Sequence, residues 1–172
     1  PIRGTLQLNG LVFGQGSQFT QADINAGLLS YSHDGSETTA DSFGFDVDDG
    51  SGAASSGSFA IAVTPVNDNT PVISSNGGGA AAALAVAENS SSVTTIIATD
   101  ADLPAETLQY SLSGTDALLF TIDSSGNLAF LTAPDHENPA DAGADNFYDI
   151  VVTVSDGTLF NTQTLSITVT DV

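Results

Sequence analysis

Two stretches of this chain carry one pattern. Phe45-Asp46-Val47-Asp48-Asp49-Gly50 is matched by Val152-Thr153-Val154-Ser155-Asp156-Gly157, and Ile61-Ala62-Val63-Thr64-Pro65-Val66 by Ile167-Thr168-Val169-Thr170-Asp171-Val172. Alternation of this kind sends every second side chain to one face of a sheet, and Asp-Gly is a turn signal. A chain that writes the same pair of strands twice is constrained to two all-β units. Further back, Gly4-Thr5-Leu6 resembles Gly126-Asn127-Leu128. In that register Pro1 corresponds to a point near Asp123, and the first unit lacks the front half that Val72 to Asp123 gives the second. A sandwich without those strands exposes an apolar face and open edges. The native protein is therefore expected to continue upstream. Otherwise a partner copy fills the gap, or the first unit is a smaller sheet.

Between the units stands Val66-Asn67-Asp68-Asn69-Thr70-Pro71. Short polar side chains favour turns and offer oxygens to a hard cation, and Pro71 holds Thr70 extended. The expected organisation is a partial unit over 1–66, a linker over 67–71 and a full unit over 72–172.

Within the first unit, Thr5–Leu8, Asn9-Gly10 and Leu11–Phe13 predict a hairpin. Thr20, Asp23 and Gly27 predict the cap, first turn and end of a short helix. Alternating strands follow at Phe43–Val47 and Phe59–Val63, joined by Asp49-Gly50 and a Ser/Gly/Ala loop. The second unit carries strand candidates at Val72–Ser74 with Leu84–Val86, Val93–Ala98, Leu108–Leu112, Leu119–Ile122, Leu128–Leu131, Tyr148–Val154 and Thr164–Val169. Asn76 to Gly79 with the alanines after it reads as a flexible loop leading into a strand. Short strands punctuated by Gly and Ser predict all-β Greek-key sandwiches in tandem.

Charge narrows the function. Lys+Arg is 1 against Asp+Glu 21, a formal net charge of -20. Such a surface repels nucleic acid and anionic membranes, and Arg3 alone makes no phosphate-binding patch. Self-repulsion also opposes compaction, which salt or bound divalent cations relieve. The plainer reading of the acidity is a solvated, solubilising surface. No stretch is long and apolar enough for a membrane span, and no signal peptide is visible. There is no Cys, so metal is the natural stiffener. No glycine-flanked nucleophilic Ser and no phosphate loop with its Lys is present, so an enzyme is not expected.

The acids recur at strand ends. Glu88-Asn89, Asp100-Ala101-Asp102, Asp135-His136-Glu137, Asp156-Gly157 and Asp171-Val172 all do so, and strands of alternating direction gather their ends at two poles. Asn67, Asp68, Asn69, Asp100, Asp102 and Asp156 are expected at one pole, and Glu88, Asp135, Glu137 and Asp171 at the other. Calcium takes 6–8 oxygens from carboxylates, carbonyls and water, and Asn67 and Asn69 would add side-chain or main-chain oxygens. Magnesium prefers a rigid octahedron, and zinc wants His or Cys, of which there are only His33 and His136. Each acid taken singly is equally explained as the cap of a turn.

Residues 72–172 resemble a cadherin repeat through Ala87-Glu88-Asn89, Asp100-Ala101-Asp102, Asp135-His136-Glu137, Ser155-Asp156-Gly157 and the linker Val66–Pro71. The resemblance implies calcium held by main-chain oxygens of Asn67 and Asn69 and the carboxylates of Asp68, Asp100, Asp102 and Asp156. It gives Glu88, Asp135, Glu137 and Asp171 to the next joint, which is expected to be half-built. Pro65 departs from the pattern where an acid is usual, His136 replaces Arg or Tyr, and the short loop after Asp102 leaves one carbonyl ligand unassigned. Fewer ions are therefore expected at this joint. Residues 1–66 are similar to the back of a cadherin-like repeat of the chondroitin sulfate proteoglycan type, through Gly4–Gly10, Phe19–Ile24, Gly27–Tyr31, His33–Glu37 and Asp41-Ser42-Phe43. By position Asp34 and Glu37 either add carboxylates to the joint or simply form an exposed turn.

The reading that follows is a calcium-dependent structural or adhesion module of a large bacterial surface or secreted adhesin. It is extracellular, joined to neighbouring repeats and stiffened by Ca2+. The alternative is a calcium-dependent carbohydrate-binding module with a polysaccharide or cell-surface ligand. Sugar sites want exposed aromatics, whereas Tyr31, Tyr110 and Tyr148 fall in strands. Self-association is a third possibility.

Overall fold

Asn9-Gly10 closes the hairpin that its sequence predicts. In the computed structural model, which describes residues 1–172, Gly4–Leu8 (β1) turns back into Leu11–Phe13 (β2) with Leu8 opposite Leu11. Asn9 and Gly10 both sit at positive φ, 51° and 77°, as a primed two-residue turn demands. The helix Gln21–Asn25 (α1) starts at Thr20, whose hydroxyl accepts from the Asp23 N–H while the Asp23 carboxylate accepts the Thr20 N–H. Leu29–His33 (β3) then pairs along the free side of β1. Ala40–Asp48 (β4) and Ala54–Ala62 (β5) form a separate two-stranded ladder. The strand β5 begins earlier than expected. Its Ser- and Gly-rich start pairs with the end of β4 up to Asp48 opposite Ala54, because residues this small fit the ladder wherever a partner backbone is in reach.

The second unit opens with Val72–Ile73 (β6), Ala81–Ala87 (β7), Ser92–Thr95 (β8), Ala98–Thr99 (β9) and Gln109–Ser113 (β10). A 3-10 turn at Ala117–Leu119 leads into Phe120–Ile122 (β11), then Asn127–Phe130 (β12), Phe147–Ser155 (β13) and Phe160–Thr170 (β14). One sheet runs β10-β13-β14-β7, a second β11-β12-β8, and β6 pairs with β9. The core lies between them. Ile96, Leu128, Tyr148, Ile150, Val152, Val154, Leu165, Ile167 and Val169 are all at most 1% exposed. Tyr148 stands edge-on to Phe120 and Phe130.

Two expectations need correction. The alanine run is no flexible loop at its end: Ala81–Ala87 is a full strand, parallel to β14, because that edge offers a ladder that small side chains can approach. The predicted strand Val93–Ala98 is broken in two. The Ile96 N–H donates to the Gly126 carbonyl while the Ile97 N–H donates to Ser75 Oγ, so the chain leaves one sheet for another between them.

The sequence repeat is also a repeat of register. Phe43 faces Phe59, Phe45 faces Gly57 and Asp48 faces Ala54. The matching residues Ile150, Val152 and Ser155 face Leu165, Gln163 and Phe160. The surroundings differ. β13 and β14 are flanked by β10 and β7, whereas β4 and β5 have each other alone. Leu6 is accordingly the one apolar residue of the first unit that is fully buried, and Phe59 is 56% exposed.

Candidate metal centre

The chain divides into Pro1–Val66 and Asn67–Val172. The bonds of Asn67 to Pro71 run into the second unit. The Asn69 side-chain Nδ2 donates to Asp102 Oδ1 at 2.7 Å, the Asn69 N–H donates to Asp102 Oδ2 at 3.1 Å, and the Pro71 carbonyl accepts from Asn161 Nδ2 at 3.0 Å.

Asp100 and Asp102 follow β9, and Asp156 follows β13. Each places a carboxylate oxygen within 4.8 Å of those of the other two. Three like charges this close repel strongly unless something offsets them. For Asp102 the Asn69 amide is the largest offset, and it holds the carboxyl below the ordinary range despite burial. For Asp156 burial is the largest influence and pushes upward. The Thr158 and Leu159 N–H groups and the neighbouring Asn67 amide more than reverse it. Asp68 is exposed, with a carboxylate oxygen 3.4 Å from Asn69 Nδ2.

Three oxygens at this end remain to be explained. Asn67 Oδ1, Asp100 Oδ2 and Asp156 Oδ2 are buried and accept no hydrogen bond. Leaving such an atom unpaired costs about 1–3 kcal/mol. Three of them beside a cluster of carboxylates fit an all-oxygen site for a hard cation. The side chain of Asn67, and not only its main chain, is therefore a donor to reckon with.

The opposite pole gathers Glu88, at the end of β7, with Asp135 and Glu137 from the loop after β12, within 4.8 Å of one another. Asp171 shares a second such group with His136 and Glu137. Glu88 is 8% exposed, and its oxygens accept the N–H groups of His136 at 3.0 Å and Val172 at 3.2 Å. The first of these contacts is the main reason its pKa lies low. In the first unit, Asp34 Oδ1 accepts the Ser36 N–H at 2.9 Å and its hydroxyl at 2.6 Å, so it caps its own turn. Glu37 is half-buried in the same loop.

Sequence reasoning missed Glu106. It lies in the loop after Asp102, and its Oε2 accepts from Asn67 Nδ2 at 2.6 Å. Only an acid a few residues past Asp-x-Asp hinted at it. Asp116 and Asp141 were missed as well. Asp116 accepts the N–H groups of Ala142 and Asp149, both at 2.8 Å, and Asp141 those of Asn146 at 3.0 Å and Asp145 at 3.1 Å. These two buried acids brace the loop before β13.

Comparison with known proteins points one way. Residues 1–63 match the family model described as cadherin-like. FRAS1-related extracellular matrix protein 1 of Homo sapiens is 31% identical over 102 residues, 59% of this chain and 5% of that protein. Extracellular matrix protein 3 of Lytechinus variegatus is 52% identical over 50 residues, 29% of this chain and 2% of that protein. The chain thus spans a small fraction of these relatives. Among solved structures, mouse cadherin-23 EC22-24 superposes with a TM-score of 0.67 at 23% identity, covering 98% of this chain and 53% of the other. The protocadherin gammaB7 EC3-6 structure gives 0.57 at 25% identity over 74% of this chain and 32% of the other. The chain thus has a cadherin-like β-sandwich fold, and residues 1–63 match the cadherin-like family model.

Proposed function

We propose that the chain is a calcium-dependent extracellular module of a large adhesin or matrix protein. Asn67, Asp68, Asn69, Asp100, Asp102 and Asp156 would hold the ion. The buried, unpaired oxygens of Asn67, Asp100 and Asp156 carry this reading. Calcium would supply the positive charge and the oxygen coordination that these groups lack. Asn69 anchors the entering segment to Asp102, the unpaired oxygens of Asn67 and Asp100 would join the coordination, and Asp156 would close it from the turn after β13. Fixing Asn67–Asn69 to the sandwich also fixes the direction in which the chain arrives from Val66. Glu88, Asp135, Glu137 and Asp171 form the matching half-site for a following repeat. Relatives named for the extracellular matrix support the location, where calcium is plentiful.

Calorimetric titration tests this reading. The wild type binds calcium at roughly 10⁻⁴–10⁻³ M, the range of extracellular modules. Asp102→Ala loses one site and keeps the circular dichroism of a β-sandwich. At about 100 times Kd the ion adds about 2.7 kcal/mol of stability, read as a melting shift that chelator abolishes. A wild type that gives no heat sinks the proposal.

A further inference from the structure

We infer that Glu106 is a positioning residue of this centre, one that sets which way the Asn67 amide faces. This rests on the calcium reading above. An Asn side chain has a donor end and an acceptor end, and its partners decide their placement. Here Glu106 Oε2 takes the donor end at 2.6 Å, a charge-assisted contact and the one hydrogen bond that end makes, while the Asp156 carboxylate is a further neighbour of the same NH2 group. That leaves Asn67 Oδ1 as the end without a partner, buried like Asp100 Oδ2 and Asp156 Oδ2. Were the amide reversed, Nδ2 would occupy the place of an oxygen donor, and two oxygens would face each other at Glu106.

Glu106 is exposed, and it lies outside the carboxylates that stand within 4.8 Å of one another. It therefore acts on the centre through Asn67. The short loop after Asp102, which left one expected ligand unassigned, thus contributes by orienting a donor. Outer partners of metal ligands commonly matter about 10–100-fold in affinity.

Two measurements decide it. Calcium titration of Glu106→Ala shows affinity weakened by about 10–100-fold, whereas Glu106→Gln, whose carbonyl still accepts from Nδ2, keeps most of it. Equal loss in both variants overturns the inference, since Glu106 would then act through its charge or as a ligand. No loss in Glu106→Ala overturns it too. Nuclear magnetic resonance of the calcium-free protein reads the same contact without metal. The Asn67 side-chain NH2 signals move toward those of a free amide in Glu106→Ala but not in Glu106→Gln, and an unchanged signal in Glu106→Ala overturns the anchoring. If the wild type binds no calcium, the reading of the centre fails while the amide signal still decides the anchoring.

Discussion

Tyr31 shows how one carboxylate can organise a small unit. Its hydroxyl donates to Asp41 Oδ2 at 2.9 Å, and Asp41 also accepts the N–H groups of Ile2, Arg3 and Ser42. Desolvation first, and then this bond to a carboxylate, push the Tyr31 hydroxyl up to about 12. A raised value means the neutral hydroxyl is favoured by the fold. Its stabilisation is complete below the ordinary value of about 10, and is lost as pH rises through 12. An absorbance titration of tyrosinate is expected to show Tyr31 titrating about two units above free tyrosine, and Asp41→Asn to bring it down. A Tyr31 transition at the ordinary value would contradict the bond. Gln163 makes the same point in the second unit. It is 0% exposed, accepts from Asn76 Nδ2, and donates to the carbonyls of Ser75 and Gly79. Replacing it with Ala strands all three partners, at a cost of about 2–4 kcal/mol, readable as a lower urea midpoint with an unchanged slope.

At the scale of elements, glycines mark where backbones meet. Gly126 precedes β12 at a φ of 81°, and a Cβ there would run into the Ile96 carbonyl oxygen. Gly4 precedes Leu6 in the same way, and a Cβ would run into the carbonyl of Ser32. Gly126→Ala is therefore expected to destabilise by about 1–3 kcal/mol in thermal melts; Gly157→Ala, strained by its own φ of 105° but meeting no neighbour, escapes the added clash and costs less. The likeness of Gly4-Thr5-Leu6 to Gly126-Asn127-Leu128 was legible before any coordinates, as were the hairpin at Asn9-Gly10 and the shared register of β4–β5 and β13–β14. Those features are local, or depend on alternation alone. Strand β7 was legible only at its end, because alanine carries little strand preference and the edge of β14 decides its state. The acids of the centre were legible as a set at strand ends. Glu106 was not, because which atom it meets depends on the path of a loop and on the direction of one amide.

For the second unit as a whole, charge and topology combine. Most of its acids stand in the loops beyond the strand ends, while the walls between are apolar on the inside and rich in Ser and Thr outside. On the calcium proposal, chelation loosens the poles before the core, with hydrogen exchange rising first at Asn67–Asn69 and around Asp100–Asp102. Uniform acceleration through β13 and β14 would argue instead that the ions hold the core itself.

The parallel pairing of β7 with β14 has a mechanical consequence. Chain enters β7 at Ala81 and leaves β14 at Thr170, with Thr164 opposite Ala81 and Thr170 opposite Ala87. Tension applied to the two ends of this unit pulls these strands in opposite directions along their length. The ladder is then sheared, every rung loaded together, and not unzipped one rung at a time. Single-molecule stretching is expected to show this unit yielding in one abrupt, high-force event. A Pro placed at Ala85, within the paired stretch, should lower that force more than it lowers the melting temperature. A chain tethered at both ends would owe its resistance to pulling to a seven-residue strand whose alanine start looked, in sequence, like the way out of a loop.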